Sequence, residues 1–292
     1  MRYDVTHTTE YDYGESVSVA HHVARLQPRA LPLQQCLEYK LTITPSPAAT
    51  SAYEDYFGNP VTFFGVQGAH TNLVIKAHST VAVTGPALPA PQETAPWETT
   101  VERGSLPFEA IEFVFDSPES RSLFGVETFA RTSFPAGRPI LAGVIDLTAR
   151  IHREFTFDPK ATTVATPLAE VFASRRGVCQ DFARLEIACL RSLGIPARYV
   201  SGYLETDPPA NTPRLIGADA SHAWLAFHCP GVGWIPVDPT NNVLPSDRHI
   251  TLAWGRDFSD VSPIRGVILG GGAHTLRVHV DVIRLADGPG RE

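Results

Sequence analysis

Three residues in the second half of the chain have the side-chain types of a thiol nucleophile, its base and an orienting carboxylate. Cys179 lies at the start of a predicted helix, and His222 and Asp238 lie in two predicted strands further along. A cysteine attacks a carbonyl carbon when an imidazole takes its proton, and a carboxylate fixes the tautomer and charge of that imidazole. The three residues therefore predict an acyl-transfer site if the fold brings them together.

The sequence around Cys179 places its sulfur at the amino end of a helix. Gly177-Val178-Cys179 leads into a largely apolar helix over residues 180–193, which residues 194–196 stop. The first backbone N–H groups of a helix are unpaired and carry partial positive charge, so they favour a thiolate and can bind an oxyanion. A cysteine at such a position is more often inert packing, so the chemistry depends on a base.

His222 and Asp238 are predicted to be neighbours in a β-hairpin. Residues 229–231, Cys-Pro-Gly, form the turn between two strand-like segments, and a turn centred on Pro230 places His222 opposite Asp238. Opposite residues have Cβ atoms about 4.5–5.5 Å apart, close enough for a hydrogen bond between carboxylate and imidazole. A bulge at one of the neighbouring glycines would change this register.

Each of these two residues also has a purely structural interpretation. A lone histidine in a strand is typically a hydrogen-bonded sheet residue, and an aspartate before Pro239 is typical of a turn that ends a strand. Residues 223, 225 and 227 form the apolar face of the first strand, which puts His222 and Trp224 on the other face. The predicted pairing, combined with a cysteine at a helix start, favours catalysis.

The elements that carry these residues are predicted to form an α+β domain. Apolar residues at 140, 144, 147 and 151 have helical spacing and predict a helix from Ile140 to about Glu154. Strand-like segments follow over residues 197–205, 221–228 and 233–238, and a final strand alternates over residues 276–282. Helices followed by strands indicate helices packed on an antiparallel sheet.

The first 85 residues are predicted to be a separate β-sandwich domain. Short segments with alternating apolar and polar residues end at glycine, proline or asparagine. Four prolines then fall within residues 86–97, and such a stretch continues neither a sheet nor a helix. We therefore predict a linker over residues 86–97 and assign residues 98–292, with one or two short helices in 98–137 and the C-terminal strand, to the second domain.

The composition excludes several classes of protein. The 292 residues include 24 basic and 31 acidic side chains, for a net charge of −7, and no Lys/Arg cluster, so neither nucleic acid nor an anionic membrane is expected as a partner. No apolar segment approaches the ~20 residues that cross a bilayer. The amino end has no apolar signal-peptide core, so we predict a cytoplasmic location.

The four cysteines are too sparse for a disulfide scaffold. Cys36, Cys189 and Cys229 are predicted to be inert thiols that pack as small apolar side chains. His228-Cys229 lacks the paired ligand spacing of a zinc site, and the glycines at 270–272 lack the lysine and hydroxyl residues of a phosphate loop. We predict no metal and no cofactor.

Several segments resemble the bacterial transglutaminase-like family. Those that resemble its core are Gly-Val-Cys-Gln-Asp-Phe-Ala at 177–183, residues 191–203, Ser-His-Ala-Trp at 221–224 and residues 233–241. Those that resemble its amino-terminal domain and tail are residues 7–13, 26–28, 55–59 and 256–266. The resemblance implies a transglutaminase/papain-like α+β core, a thioester intermediate, and Cys179, His222 and Asp238 as the triad. Arg184 departs from the pattern, because the family commonly has histidine there.

The predicted function is that of a thiol enzyme acting on amide bonds of a peptide or protein. Hydrolysis and transfer to an amine share the same acylation step, and the sequence leaves both open, as it does the oligomeric state. The alternative is a non-catalytic module that binds peptides or proteins in the same groove. Gln180, Tyr203 and Trp224 are the candidate substrate-binding residues. Gln180 follows the nucleophile, unlike the upstream oxyanion glutamine of papain-like proteases, and a second oxyanion donor is not identified.

Overall fold

The computed structural model of the protein describes residues 1–101, 106–117, 123–206 and 221–286. The strands are β1 (Arg2–Ala24), β2 (Gln34–Thr44), β3 (Ala49–Glu54), β4 (Pro60–Val83), β5 (Thr156–Phe157), β6 (Arg176–Gly177), β7 (Ala197–Leu204), β8 (Ser221–Cys229), β9 (Gly233–Val237), β10 (His249–Gly255), β11 (Ile264–Gly270) and β12 (His274–Leu285). The α-helices are α1 (Glu98–Val101), α2 (Phe108–Ile111), α3 (Val126–Arg131), α4 (Ile140–Glu154), α5 (Leu168–Ser174), α6 (Cys179–Ser192) and α7 (Phe258–Val261). Two 3₁₀ helices span Pro91–Glu93 and Glu112–Val114. Among the helices in these ranges, none has both the length and the apolar character needed to span a bilayer.

The first domain is a β-sandwich built from one continuous sheet. Its two longest strands, β1 and β4, pair with each other, and the register shifts between Asp12 and Val17 of β1. Before this shift the pair is flanked by β12 and β2, and after it by β11 and β3. A bulge bends a strand and increases its twist, so the two halves fold over a shared core that includes Val17, Phe64 and Ile75.

The end of the chain completes the first domain. β11 and β12 both pair antiparallel with β1. The glycines at 270–272, all with positive φ, carry the chain from the end of β11 into the turn before β12. The structure thus places the C-terminal strand in the first domain and not in the second, where the order along the chain had put it. Alternating apolar and polar residues identify a strand, but the strand with which it pairs is determined by long-range contacts.

The second domain packs helices on an antiparallel sheet, as predicted. Its sheet has the order β10-β7-β8-β9. α4 has the predicted bounds, and α6 begins and ends one residue earlier than predicted, with Gly194, at a φ of 81°, after its end. Their apolar side chains form one core with the inner face of β8, including Leu185, Leu225 and Phe227. This core fixes the start of α6 against the sheet.

The first domain binds the outer edge of β10. β7 is the only strand paired with β10 in the described part of the sheet, which leaves backbone groups along the other edge. The Gln34 side chain bonds the N–H and C=O of Thr251, both at 2.7 Å. The Asn59 side chain bonds those of Trp254, both at 2.9 Å. Two side-chain amides therefore take the place of a neighbouring strand.

An apolar cluster adjoins these amides at the domain interface. Its first-domain members include Tyr3, Val5 and Val81, and Tyr203 and Ile250 are contributed by the second domain. The hydroxyl of Tyr203 also lies 2.9 Å from Nδ1 of His7, a residue of the first domain. The two domains are thus joined by apolar packing and by paired hydrogen bonds.

We expect Asn59→Ala to lower the free energy of unfolding by about 2–4 kcal/mol, because the Trp254 backbone groups lose their partners. Asn59 is fully buried. Urea denaturation measures the loss. Asn72→Ala is the matched control, since its exposed hydrogen bond to Asp12 is worth less than about 0.5 kcal/mol. Equal losses in the two variants would contradict this role of Asn59.

Candidate active site

Cys179 is the first residue of α6 and is half-buried. Asp181, a fully buried carboxylate in the same turn, fixes the chain that leads to it. Its Oδ2 accepts hydrogen bonds from the Val178 amide at 3.0 Å and from the Thr162 hydroxyl at 2.6 Å. A Cβ on Gly177 would lie 2.9 Å from the Asp181 side chain, so the turn requires glycine. The predicted position of Cys179 at the start of a helix is confirmed, and Asp181 is the residue that holds it.

The amino end of α6 presents backbone N–H groups beside this sulfur. The amides of Asp181 and Phe182 donate to the carbonyl of Val178 at 3.0 and 3.1 Å. The amides of Cys179 and Gln180 precede the first hydrogen bond of the helix, where an N–H has no intrahelical acceptor. An oxyanion at this end would therefore meet donors and the positive end of the helix dipole.

The hairpin of β8 and β9 has a different register from the predicted one. Cys229 pairs with Gly233, so the turn is centred on Gly231, one residue further along than predicted. Gly231 has a φ of 76°, a conformation that glycine adopts without strain. The pairing shifts by two residues, which keeps every side chain on its predicted face. His222 consequently meets Asp238 diagonally across the strands and not directly opposite.

His222 and Asp238 nevertheless form the predicted hydrogen bond. Nε2 of His222 lies 2.7 Å from Oδ2 of Asp238, and both side chains are buried. Burial alone would lower the pKa of His222, but hydrogen bonds to Asp238 and Cys179, together with the charge of Asp238, raise it to about 9. The imidazole is therefore protonated at neutral pH. Because Nε2 faces Asp238, Nδ1 is the ring nitrogen left for Cys179.

Asp238 is fully buried and accepts five hydrogen bonds. Its Oδ2 accepts from His222, from Nδ2 of Asn241 at 2.7 Å and from Nε2 of His249 at 3.2 Å. Its Oδ1 accepts from the backbone amides of Thr240 at 2.9 Å and Asn241 at 3.2 Å. Burial raises the pKa of this carboxyl, but the hydrogen bonds and the charge of His222 hold it well below its usual range. Asp238 is thus an ion at neutral pH.

His249 is a second imidazole on Asp238 that the sequence analysis missed. It is the first residue of β10 and is buried, and burial lowers its pKa, so the ring is neutral. The alternating side chains of residues 249–255 were a strand signal that could have identified its element. Only the pairing of β10 with β7, a long-range contact, brings the ring to Asp238.

The structure separates the three residues predicted to bind substrate. Gln180 is half-buried at the amino end of α6. Trp224 is buried, with its ring 5.9 Å from that of His222 and 5.2 Å from that of His249, so it shields both imidazoles from solvent. Tyr203 is fully buried in the domain interface and offers no surface to a ligand.

Arg184, the departure from the family pattern, is a buried cation in α6. Its guanidinium lies 3.9 Å from Oδ1 of Asp181 and 3.7 Å from Oδ1 of Asp257, and it donates to the carbonyl of Thr166 at 3.4 Å. It balances two buried carboxylates, one of which fixes the turn before Cys179. Arg184 therefore stabilises the amino end of α6 through its interaction with Asp181.

Two of the other three cysteines have the packed character predicted for them, whereas Cys36 is half-buried on β2. Burial raises the pKa of Cys36, Cys189 and Cys229, that of Cys229 to about 11. All three are neutral thiols at pH 7. Cys189 and Cys229 lie in the core of the second domain.

Three side chains of this region have the spacing of metal ligands. One ligand atom from each of His222, Asp238 and His249 lies within 4.8 Å of the others. The same atoms are joined by hydrogen bonds, so an ion there would have to displace the proton that His222 shares with Asp238.

Two family models match the chain. Residues 3–82 match the bacterial transglutaminase-like N-terminal region, and residues 130–239 match the transglutaminase-like superfamily. The chain belongs to the transglutaminase-like superfamily. The superfamily match includes Cys179, His222 and Asp238 and ends before His249.

The chain is also similar to individual proteins. An uncharacterised protein of Mycobacterium tuberculosis is 41% identical over 296 residues, which cover 97% of this chain and 92% of the relative. A protein-glutamine gamma-glutamyltransferase of Pseudomonas aeruginosa is 35% identical over 107 residues, or 34% of this chain and 16% of the relative. A solved structure of a candidate cysteine protease from Cytophaga hutchinsonii has a TM-score of 0.76 at 23% identity, covers 99% of this chain and 93% of its own, and shares the fold.

We expect Asp238→Asn to lower the pKa of His222 from about 9 to below about 7. The amide removes the charge that outweighs burial, and an NMR titration of the imidazole measures the shift. The folded wild type binds this proton more tightly than the unfolded chain, so the stabilisation is complete below pH 6.5 and is lost as the pH rises through 9. Asp238→Asn should not show this loss in denaturation experiments.

Asp146→Asn is the control for this substitution, because Asp146 contacts only an arginine at the surface, at 3.6 Å, among its described ion pairs. It should titrate like the wild type. A His222 that still titrates near pH 9 in Asp238→Asn would contradict the account of its proton affinity.

Proposed function

We propose that this protein is a cysteine-dependent enzyme that acts on amide bonds of a peptide or protein through an acyl-enzyme thioester. The observation that carries the proposal is the buried hydrogen bond of 2.7 Å between His222 and Asp238, with Cys179 within hydrogen-bond reach of the same imidazole. Membership of the transglutaminase-like superfamily supports the reaction class. The similarity to a protein-glutamine gamma-glutamyltransferase favours a glutamine carboxamide as the acyl donor.

In the proposed acylation, His222 already holds the proton of Cys179, so the thiolate sulfur attacks the amide carbon and the carbonyl electrons move to oxygen. The backbone N–H of Cys179 donates to the resulting oxyanion. His222 then gives its Nδ1 proton to the departing nitrogen as the C–N bond breaks, which releases ammonia or an amine and leaves a thioester and a neutral imidazole. Asp238 orients the ring through both protonation states.

In the proposed deacylation, neutral His222 takes a proton from water or from an amine as that group attacks the thioester. The C–S bond breaks, and the sulfur leaves as a thiolate beside a protonated His222. The product is a carboxylic acid with water and a new amide with an amine. Which one forms depends on how well the acylated site excludes water.

Peptides and proteins are the proposed partners of this site. Because the net charge is −7, we expect neither nucleic acid nor an anionic membrane as a partner. A cytoplasmic location stays a prediction, which fractionation of the native cells tests.

We expect Cys179→Ala to reduce turnover on the order of 10³-fold or more, because no other group can form the thioester. The assay incubates the protein with glutamine-containing peptides, with and without a lysine-like amine. Ammonia release, peptide cleavage and amine incorporation are scored separately. Ammonia with incorporation identifies a transferase, ammonia alone a deamidase, and cleavage a peptidase.

Cys36→Ala is the control, since this thiol lies on β2 of the first domain and should keep full activity. Turnover that survives Cys179→Ala would contradict the proposal. So would peptide binding without any turnover in the wild type, which is the result expected of a non-catalytic binding module.

A further inference from the structure

His249 shares the carboxylate of Asp238 with His222. Both imidazoles direct Nε2 at the same oxygen, Oδ2, at 3.2 Å for His249 and 2.7 Å for His222. Asp238 is ionised and accepts only, so the neutral His249 donates its Nε2 proton. The superfamily match ends at residue 239, before this ring.

We propose that His249 is a positioning residue that sets the proton affinity of His222 through the shared carboxylate of Asp238. A carboxylate oxygen that accepts two imidazole N–H bonds offers less charge to each of them. His222 then stays protonated in the free enzyme but releases its proton readily to the leaving nitrogen. This inference rests on the proposed function, in which His222 acts as acid and base.

The orientation of Asp238 does not depend on His249. Two backbone amides, those of Thr240 and Asn241, donate to Oδ1, and the Asn241 side chain donates to Oδ2. Without His249 the carboxylate would remain in place with one donor fewer. Oδ2 would then bind the proton on His222 more strongly, so the expected change in the proton affinity of His222 is an increase.

The ionisable groups around Asp238 come from several elements. α6 contributes Cys179, which hydrogen-bonds His222, and buried Glu186, which faces Asp238. Arg248, beside β10, lies near His249 and pairs with Glu205, 3.5 Å away. Because the His249 ring is itself neutral, its effect on His222 passes through the hydrogen bond to Asp238.

The strand that carries His249 also contacts the first domain. The next residue, Ile250, packs in the interface cluster with Tyr3 and Val5. Thr251 follows, and Gln34 of the first domain bonds both of its backbone groups. The first domain therefore holds the strand that presents His249 to Asp238.

The test compares two buried histidines of the same sheet. His249→Phe keeps a ring against Trp224, which His249 meets edge-on at 5.2 Å and 78°, and removes the donor. His228→Phe is the control, since His228 is equally buried and meets Trp234 edge-on at 5.6 Å and 80°. Among the described hydrogen-bond partners of Asp238, none is His228.

We expect His249→Phe to raise the pKa of His222 in an NMR titration by at least about half a unit. We also expect kcat to fall about ten-fold, with KM for the acyl donor within about two-fold of wild type. Rates are normalised to the Cys179 that iodoacetamide titrates, so that unfolded protein does not contribute. His249→Gln, whose amide can donate to Asp238, should restore part of kcat and move the pKa of His222 back toward the wild-type value. His228→Phe should match the wild type in both.

A His222 titration that is unchanged or lowered in folded His249→Phe would overturn the proposal, even if kcat fell, because the loss would then reflect packing. If His249→Phe does not fold, the same upward shift is required of His249→Met. The titration needs no turnover, so a wild type without activity would refute the proposed function and leave this test intact.

Discussion

The buried ion pair between Asp238 and His222 is the interaction on which the rest of the structure depends. Removing two charges from water costs more than their mutual attraction returns unless hydrogen bonds satisfy the remaining lone pairs. Five donors at Asp238 supply those bonds. Burial raises the pKa of Glu186, which interacts electrostatically with Asp238, to about 8, so Glu186 is mostly neutral at pH 7.

The elements around this pair supply the hydrogen-bond donors that Asp238 needs. The chain turns sharply after β9, with Asn242 at a φ of 53° and a bridge between Asp238 and Val243, so that consecutive amides point at one carboxylate. α6 brings Cys179 to the other side of His222. β10 brings His249, and the first domain holds β10 by its free edge. The first domain thus supports the strand that carries His249.

The sequence predicted what depends on local chemistry. Helical spacing located α4, and the Gly-Val-Cys turn and the Gly-Ile-Pro stop located α6. Alternation placed His222 and Trp224 on one face, which the structure confirms even though the hairpin register was wrong, because a shift of two residues preserves faces. The glycine at the centre of the turn, Gly231, decided that register.

What the sequence did not predict depends on long-range pairing. His249 has no motif that connects it to Asp238, and only the pairing of β10 with β7 does so. The apolar alternation of β12 identified a strand but not its neighbour β1 at the other end of the chain. Tyr203 was predicted to bind substrate, but it is buried between the domains. An aromatic residue after a glycine in a strand carries no sign of which domain will cover it.

The most direct test of the account is the intact mass of the protein after a brief reaction with a glutamine-containing peptide and an acid quench. The proposed thioester adds the mass of the peptide less ammonia, at Cys179, and hydroxylamine removes it. Cys179→Ala should show no such adduct. A protein that turns over this peptide without ever carrying the adduct, or that carries it at another residue, would contradict the central claim.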